Sequence, residues 1–360
     1  MRSLILCNSV YQVFTALNLK LNMLDSETVD IMITDIIPEH AKLAKRLENS
    51  GLFEMVYAVN SKFISRQQYK MTRSTVYGYR TFPKVILKQA GAVPVYKYHD
   101  FYFSNYDHFS SFLYLQLHRM NKSLNVSVFE DGGSSYIMTY QDVNKVEKRL
   151  ERFLGMRPLG STDARLLLYE PDLYCRNDYD EVDALPKISL ADQKFRDKVN
   201  YVFHIDDIVP IDEDYIFMEE SFVADGLENN DAEIIEECYK ICGKDNFILK
   251  PHPRNPYNRF ENSGVKILNT NVPWEVYCHN QNLKDKIVLT VSSNTAISPH
   301  ILYQEAPKSI LLYKLLKGRT IMTEKPEFNN YMLKASNMFS KKLFIPDNFE
   351  NLRFILMQNQ

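Results

Sequence analysis

Short apolar runs alternate with helical patterns along the whole chain. In the first half, Ser3–Cys7, Val29–Thr34 and Asn125–Phe129 have the length and composition of buried strands, and helix-like stretches such as Val10–Leu24 lie between them. Strands spaced by helices of this length are typical of βαβ units, whose strands pair in parallel. The sequence therefore predicts an α/β fold.

The alternation is interrupted once and then restarts. Residues 155–190 are rich in proline and acidic residues, and strand-like runs resume at Tyr215–Met218, Phe247–Lys250 and Ile287–Val291. Two halves joined in this way predict two Rossmann-like lobes with parallel sheets and a ligand cleft at the carboxyl ends of the strands. We expect one lobe at 1–190, a second at 191–335, and a segment at 336–360 that can pack back on the first lobe.

Composition narrows the class of protein. The chain has 360 residues, which suits two domains, and a net charge of -2, which gives no reason to expect a nucleic-acid partner. Its five cysteines are odd in number and form no pair of CxxC units, a pattern that fits reduced thiols in a cytoplasm. No stretch approaches the roughly 20 apolar residues of a membrane span. We therefore expect a cytoplasmic protein that can still lie on a membrane surface.

The first chemical motif follows the predicted strand Asn125–Phe129. Two adjacent carboxylates, Glu130 and Asp131, precede two glycines, Gly132 and Gly133. This order places acids at the carboxyl end of a strand, before a loop whose glycines can adopt backbone shapes that other residues resist. A turn of this composition also occurs without any function.

The second motif is Lys250-Pro251-His252-Pro253-Arg254, directly after a predicted strand. Proline fixes its own φ and restricts the residue before it, so His252 is held in an extended geometry. An imidazole between two cations suits a phosphate ligand and is poorly suited to a metal ion. The alternative is a proline-rich strand exit with a solvated histidine.

The third motif is Ser292-Ser293-Asn294, between a buried strand and a helical pattern. Free N–H groups at such a turn, together with serine hydroxyls, can bind a phosphate. The same residues are also simply good helix starters.

The fourth motif joins the first strand to the first helix. It contains Asn8, Ser9, Tyr11 and Gln12, and it lacks the glycine pattern that holds a dinucleotide pyrophosphate. Its polar side chains could instead contact a sugar. A D-x-D pattern at Asp178 lies in a charged linker, and we interpret it as solvated surface and not as a metal site.

In this order the motifs resemble those of bacterial sialyltransferases of glycosyltransferase family 52 and the related polysialyltransferases. The shared features are the Glu130-Asp131-Gly132 motif, the His252-Pro253 motif, the later Ser292-Ser293 pair and the opening strand, turn and helix. The resemblance implies a GT-B type fold, with an acceptor lobe first and a CMP-sugar lobe second. It also implies transfer of sialic acid from CMP-sialic acid with inversion and without a metal or other cofactor.

Carried over to this chain, the resemblance makes Glu130 the general base, with Asp131 as the alternative, and His252 the group that assists departure of CMP. Donor contacts would come from Ser292 and Ser293, and from charge and proximity we add Lys250 and Arg254. The full sets expected are Lys250, Pro253, Arg254, Ser292, Ser293 and Asn294 for the donor, and Asn8, Ser9, Tyr11, Gln12, Gly132 and Gly133 for the acceptor or sugar.

The expected acceptor is a hydroxyl, on galactose by preference, of a capsule or lipooligosaccharide precursor at the inner face of the bacterial membrane. The resemblance also allows a homodimer. Two alternatives stay open: a GT-B glycosyltransferase or epimerase that uses another nucleotide sugar such as a UDP-hexose, and a non-catalytic sugar-nucleotide-binding protein.

Overall fold

The structure is a computed structural model that describes residues 1–65, 78–138, 164–205, 208–270, 272–303, 306–318, 320 and 322–358. The strands of the first sheet are β1 Arg2–Cys7, β2 Thr28–Thr34, β3 Val56–Val59, β4 Asp100–Phe103, β5 Asn125–Phe129, β6 Arg165–Leu168 and β7 Val182–Ala184. Those of the second sheet are β8 Tyr215–Met218, β9 Phe247–Lys250, β10 Lys266–Ile267, β11 Ile287–Thr290, β12 Lys308–Leu311 and β13 Leu343–Phe344.

Helices cover both sheets. The described α-helices are α1 Val10–Asn22, α2 His40–Asn49, α3 Lys62–Ser65, α4 Pro83–Gln89, α5 His108–Met120, α6 Ser134–Ile137, α7 Gln193–Phe203, α8 Asp231–Cys242, α9 Trp274–Asn280, α10 Ser298–Leu302, α11 Phe328–Met338 and α12 Phe349–Gln358. The first begins at Ser9, whose hydroxyl accepts a hydrogen bond from the Gln12 N–H. Such a cap satisfies one of the free donors at a helix start.

Both sheets are parallel throughout the described strands. Their orders are β3-β2-β1-β4-β5-β6-β7 and β10-β9-β8-β11-β12-β13. In each sheet the strand order reverses beside the first strand of that sheet, β1 or β8, and the ligand crevice of an open α/β sheet lies at such a point. The predicted α/β class with two Rossmann-like lobes is confirmed.

The two lobes share a core. One buried cluster joins β1 and α1 residues such as Phe14 with second-lobe residues such as Trp274 and Ile297. A separate cluster, between the second sheet and helices α8 and α12, contains Ile234 and Leu352. The shared cluster fixes the carboxyl ends of the two sheets next to each other.

The last helix of the C-terminal segment packs on the second lobe. Leu352 and Leu356 of α12 lie in the separate second-lobe cluster, and Arg353 pairs with Glu237 of α8 at 2.5 Å. Helix α11 contacts the first lobe, where Lys334 donates to the carbonyl of Tyr174 at 2.7 Å. The pairing of β13 with β12 returns the chain to the second sheet before α12 begins. The boundaries at 190 and 335 stay predictions.

Among the described residues, no helix combines the length and the apolar character needed to cross a bilayer.

Candidate active site

Glu130 lies directly after β5 and is completely buried. One carboxylate oxygen accepts the Tyr11 hydroxyl at 2.8 Å, and the other accepts the Tyr136 hydroxyl at 2.5 Å and the Tyr169 N–H at 2.9 Å. Burial raises the pKa of Glu130 to about 7, although these three donors oppose the shift. Because Glu130 has no exposed surface, a substrate hydroxyl cannot reach it in this arrangement.

Asp131, the next residue, is partly exposed. One of its oxygens accepts the Ser9 hydroxyl at 3.1 Å, and the other accepts the Asn105 amide at 3.2 Å. Burial raises the pKa of Asp131, and hydrogen bonds from Gln12, Asn105 and Ser9 oppose that rise. Of the two acids, Asp131 is therefore the one that a substrate can reach.

The two glycines shape the turn after the acids. Gly132 has a φ of 70°, in the region that favours glycine. Gly133 is buried against the second lobe, because a β-carbon added to it would lie 2.7 Å from the Asn294 side-chain oxygen. The same Asn294 oxygen accepts the Tyr331 hydroxyl at 3.0 Å. The acidic turn of the first lobe and the Ser-Ser-Asn turn of the second are thus in contact.

The turn between β1 and α1 supports the acids. Asn8 and Gln12 are buried, and the Gln12 side chain accepts the Asn8 N–H at 2.6 Å and donates to Asn105 at 2.5 Å. The prediction of direct sugar contacts for these two residues does not fit their burial. Ser9 and Tyr11 are partly exposed, and each donates to one carboxylate of the acidic turn.

His252 follows β9 at the equivalent edge of the second sheet. Its Nδ1 accepts the Arg254 N–H at 3.2 Å, so the proton of the neutral ring lies on Nε2. Burial and the charges of Arg254 and Lys250 lower the pKa of His252 to about 4. Near pH 7 the imidazole is a neutral donor whose Nε2–H is available to a ligand.

Lys250 and Arg254 differ in what they can offer. Arg254 is exposed; its guanidinium pairs with Asp225 at 3.1 Å and donates to the Ser221 hydroxyl at 2.7 Å. Lys250 is partly buried at the end of β9 and makes no salt bridge within the described part of the chain. Burial lowers the pKa of Lys250, and the Glu275 carboxylate partly offsets that shift. Lys250 is the better of the two as an anion ligand, and Pro253 between them is exposed.

The Ser292-Ser293 turn is already engaged. Ser292 is buried, and both its N–H and its hydroxyl donate to Glu220, the hydroxyl at 3.0 Å. Ser293 is partly exposed, and its oxygen accepts the Thr295 N–H at 3.3 Å and the Thr295 hydroxyl at 3.1 Å, so the Ser293 hydroxyl hydrogen can point to a ligand. Of the two serines, Ser293 is the one that can offer a hydroxyl to a phosphate.

Four further side chains near the candidate site were not predicted from the sequence. Glu219 and Glu220 follow β8 as Glu130 and Asp131 follow β5, and this repeated pattern could have revealed them. Glu275 lies at the junction of the lobes, since its charge acts on Lys250 and also adds to the rise that burial causes in the pKa of Tyr11. No sequence signal marks Glu275 or Tyr331.

The D-x-D pattern remains peripheral. Asp178 forms an ion pair with Arg176 and accepts the Tyr174 hydroxyl. Within the described ranges, no group of three or more His, Cys, Asp or Glu side chains has an arrangement that could hold a metal ion.

Comparison with known proteins places the fold. No family model matches the chain, and no curated protein matches it in sequence. Among solved structures, Arabidopsis thaliana UGT89C1 complexed with UDP aligns over 100% of this chain and 90% of its own, at 11% identity and a TM-score of 0.53. UDP-GlcNAc 2-epimerase from Methanocaldococcus jannaschii aligns over 98% and 90%, at 16% identity and a TM-score of 0.52.

The chain has the GT-B fold. The alignments span both lobes and therefore include the relative placement of the two sheets. An α/β-galactoside α-2,3-sialyltransferase from the luminous marine bacterium Photobacterium phosphoreum also aligns, over 96% of this chain and 98% of its own. Its identity of 9% and TM-score of 0.48 are too low to support an argument.

Proposed function

We propose that this GT-B protein is an inverting, metal-independent sialyltransferase, which transfers sialic acid from CMP-sialic acid to a hydroxyl of a bacterial glycan. The observation that carries the proposal is the contact between Gly133 and Asn294. It joins the acidic turn of the first lobe to the serine turn of the second. This contact supports the proposal that a base of the first lobe and phosphate ligands of the second act on one substrate, as the motifs that resemble those of family 52 imply.

Asp131 is the proposed general base. It is partly exposed, whereas Glu130 is completely buried. Asp131 takes the proton of the acceptor hydroxyl as that oxygen forms its bond to the anomeric carbon, while the bond from that carbon to the CMP phosphate oxygen breaks. Base catalysis of this kind contributes roughly a hundred- to ten-thousand-fold.

The second lobe stabilises the leaving group. Sialic acid reacts through an oxocarbenium-like state, so the main demand is for charge stabilisation on the departing phosphate. The ammonium of Lys250, the Nε2–H of His252 and the hydroxyl of Ser293 are preorganised donors at the carboxyl edge of the second sheet. Fixed donors of this type act where charge develops in the transition state.

A UDP-hexose transferase or an epimerase is the second candidate. The aligned UGT89C1 structure is complexed with UDP, and the aligned Methanocaldococcus jannaschii protein is a UDP-GlcNAc 2-epimerase. A nucleoside diphosphate carries a second phosphate and needs more cationic or backbone donors. Lys250 supplies one cation, while Arg254 is held by Asp225. The single phosphate of CMP therefore fits the described donors better.

The proposals for the acceptor glycan, the membrane location and the oligomeric state rest on the family resemblance alone. The proposed acceptor is galactose of a capsule or lipooligosaccharide precursor, and the proposed location is the cytoplasmic face of the inner membrane. A homodimer is proposed on the same ground.

The test is to offer CMP-sialic acid, UDP-galactose, UDP-N-acetylglucosamine and UDP-glucose separately, each with EDTA. Thermal stabilisation and nucleotide release are followed for each. A ligand at 100 times its Kd stabilises the fold by about 2.7 kcal/mol. A response to CMP-sialic acid alone, with release of CMP, supports the proposal. A response only to a UDP-sugar overturns it and favours the second candidate.

A further inference from the structure

Strand β8 lies in the middle of the second sheet, between β9 and β11. It is followed at once by Glu219 and Glu220. Successive side chains of an extended chain point to opposite sides. The two acids therefore diverge, one toward the loop that follows β9 and the other toward the loop that follows β11.

Glu219 holds the loop after β9. Its carboxylate is buried and accepts the His252 N–H at 3.1 Å. The other oxygen accepts two N–H groups of Arg259, at 3.1 and 2.8 Å, and Arg259 also donates to both oxygens of Asp231. Buried pairs joined by several charge-assisted bonds restrict movement more than neutral hydrogen bonds do. His252 is thus tied through its backbone to a rigid ionic network.

Glu220 holds the loop after β11. Its carboxylate accepts the N–H and the hydroxyl of Ser292, and the Thr290 hydroxyl at 3.3 Å. Burial raises the pKa of Glu220, and hydrogen bonds that include the Ser293 N–H oppose the shift. The N–H and hydroxyl groups of this turn thus donate to the single carboxylate of Glu220. These bonds hold the turn in a fixed position relative to β8.

We propose that the Glu219–Glu220 pair is the positioning element for both donor-binding loops. It sets the distance between His252 and Ser293 by holding each loop from the shared strand β8. The two residues act through other residues and need not touch the substrate. This role rests on the proposed function, since it assumes that the two loops bind one phosphate.

The test combines CMP affinity, measured by calorimetry, with the imidazole signals of ¹⁵N-histidine-labelled protein. The signal of His252 among the eight histidines is assigned with a His252→Asn variant. Glu219→Gln and Glu220→Gln keep size and one acceptor oxygen, and Glu236→Gln removes an exposed carboxylate of α8 as the matched control. Circular dichroism verifies that each variant is folded.

Glu219→Gln is expected to shift the His252 signals and to weaken CMP binding about tenfold. Glu220→Gln is expected to weaken CMP binding to a similar degree without moving the His252 signals, and Glu236→Gln to change neither. If Glu219→Gln does not fold, Glu219→Asp serves instead. It keeps the charge, but its shorter side chain moves the carboxylate away from the His252 N–H, and the same shift of the His252 signals is expected.

Unchanged His252 signals in Glu219→Gln overturn the role of Glu219. CMP affinity within twofold of wild type, or tighter binding, in Glu220→Gln overturns the role of Glu220; tighter binding would mark it as an anion that competes with the phosphate. Failure of wild-type protein to bind CMP removes the proposed function. In that case the His252 signals still decide whether Glu219 positions the loop.

Discussion

The side-chain oxygen of Asn294 lies 2.7 Å from the point where a β-carbon on Gly133 would be. The two residues belong to different lobes, and the Tyr331 hydroxyl holds the Asn294 oxygen in place at 3.0 Å. Glycine at this position permits the close approach of the acidic turn and the Ser-Ser-Asn turn. The local approach of these two turns therefore depends on the absence of a side chain at position 133.

Gly133→Ala should therefore destabilise the folded protein, by roughly 1–3 kcal/mol for an overpacked contact. The measurement is the thermal melt of Gly133→Ala, Asn294→Ala and the double variant. Because Asn294→Ala removes the clashing oxygen, adding Gly133→Ala to it should cost much less than in wild type. If Gly133→Ala lowered the melting temperature equally in wild type and in Asn294→Ala, the result would contradict the contact.

Asp131→Asn should abolish most of the turnover while CMP still binds. Loss of a positioned base is expected to lower kcat by roughly a hundred- to ten-thousand-fold. Steady-state kinetics and calorimetry with CMP separate the two effects. A larger loss of kcat in Glu130→Gln than in Asp131→Asn would reverse the assignment and require Glu130 to become exposed.

Glu130 should make stability depend on pH. Its pKa is raised to about 7 in the folded protein from an ordinary value of 4.5, so the folded state binds more protons between these values. Protonated Glu130 therefore stabilises the folded protein at low pH. As pH rises through this window, the free energy of unfolding decreases by about 3 kcal/mol in total. The melting temperature of wild type relative to Glu130→Gln should thus fall from pH 5 to pH 8. A constant difference would refute the shifted pKa.

CMP binding should be accompanied by proton uptake at His252. The free ring has a pKa lowered to about 4, and a phosphate beside it favours the charged form. Affinity for CMP should therefore increase as pH falls from 7 toward 5. Calorimetry in buffers of different ionisation enthalpy measures the protons taken up, and His252→Asn should remove them. Uptake that persists in this variant would assign it to another group.

Lys250→Met and Arg254→Gln form a matched pair. Lys250 has no salt bridge among the described side chains, and its removal should weaken CMP binding about ten- to a hundredfold. Arg254 is exposed and already paired with Asp225, so its removal should cost less than about 1 kcal/mol. Titration of both variants with CMP shows which of the two side chains binds the phosphate. A greater loss in Arg254→Gln would show that its ion pair opens for the ligand.

The regular part of the fold was predictable because its strands are buried apolar runs. Strands β5, β8 and β9 have the bounds that the sequence predicts, Asn125–Phe129, Tyr215–Met218 and Phe247–Lys250. The strands β7 and β13 were not predicted, since three- and two-residue edge strands are too short to show a periodicity.

The positions of the candidate residues on the fold were predictable, whereas their contacts were not. The strand ends located Asp131, His252 and Ser293, because the carboxyl edge of a parallel sheet collects functional residues. The burial of Glu130 depends on hydroxyls from Tyr11 and Tyr136, which come from two separate helices. Contacts of that kind arise from tertiary packing and leave no local pattern in the sequence.

Tyr331 of α11 stacks on Tyr136, with ring centroids 5.4 Å apart, and Tyr136 in turn donates to Glu130. During translation the first lobe is synthesised before Tyr331. The nascent first lobe therefore has its acidic turn without the aromatic ring that closes it. A chain truncated after β12 would keep the acidic, histidine and serine motifs and still lack the Tyr331 ring that packs on Tyr136.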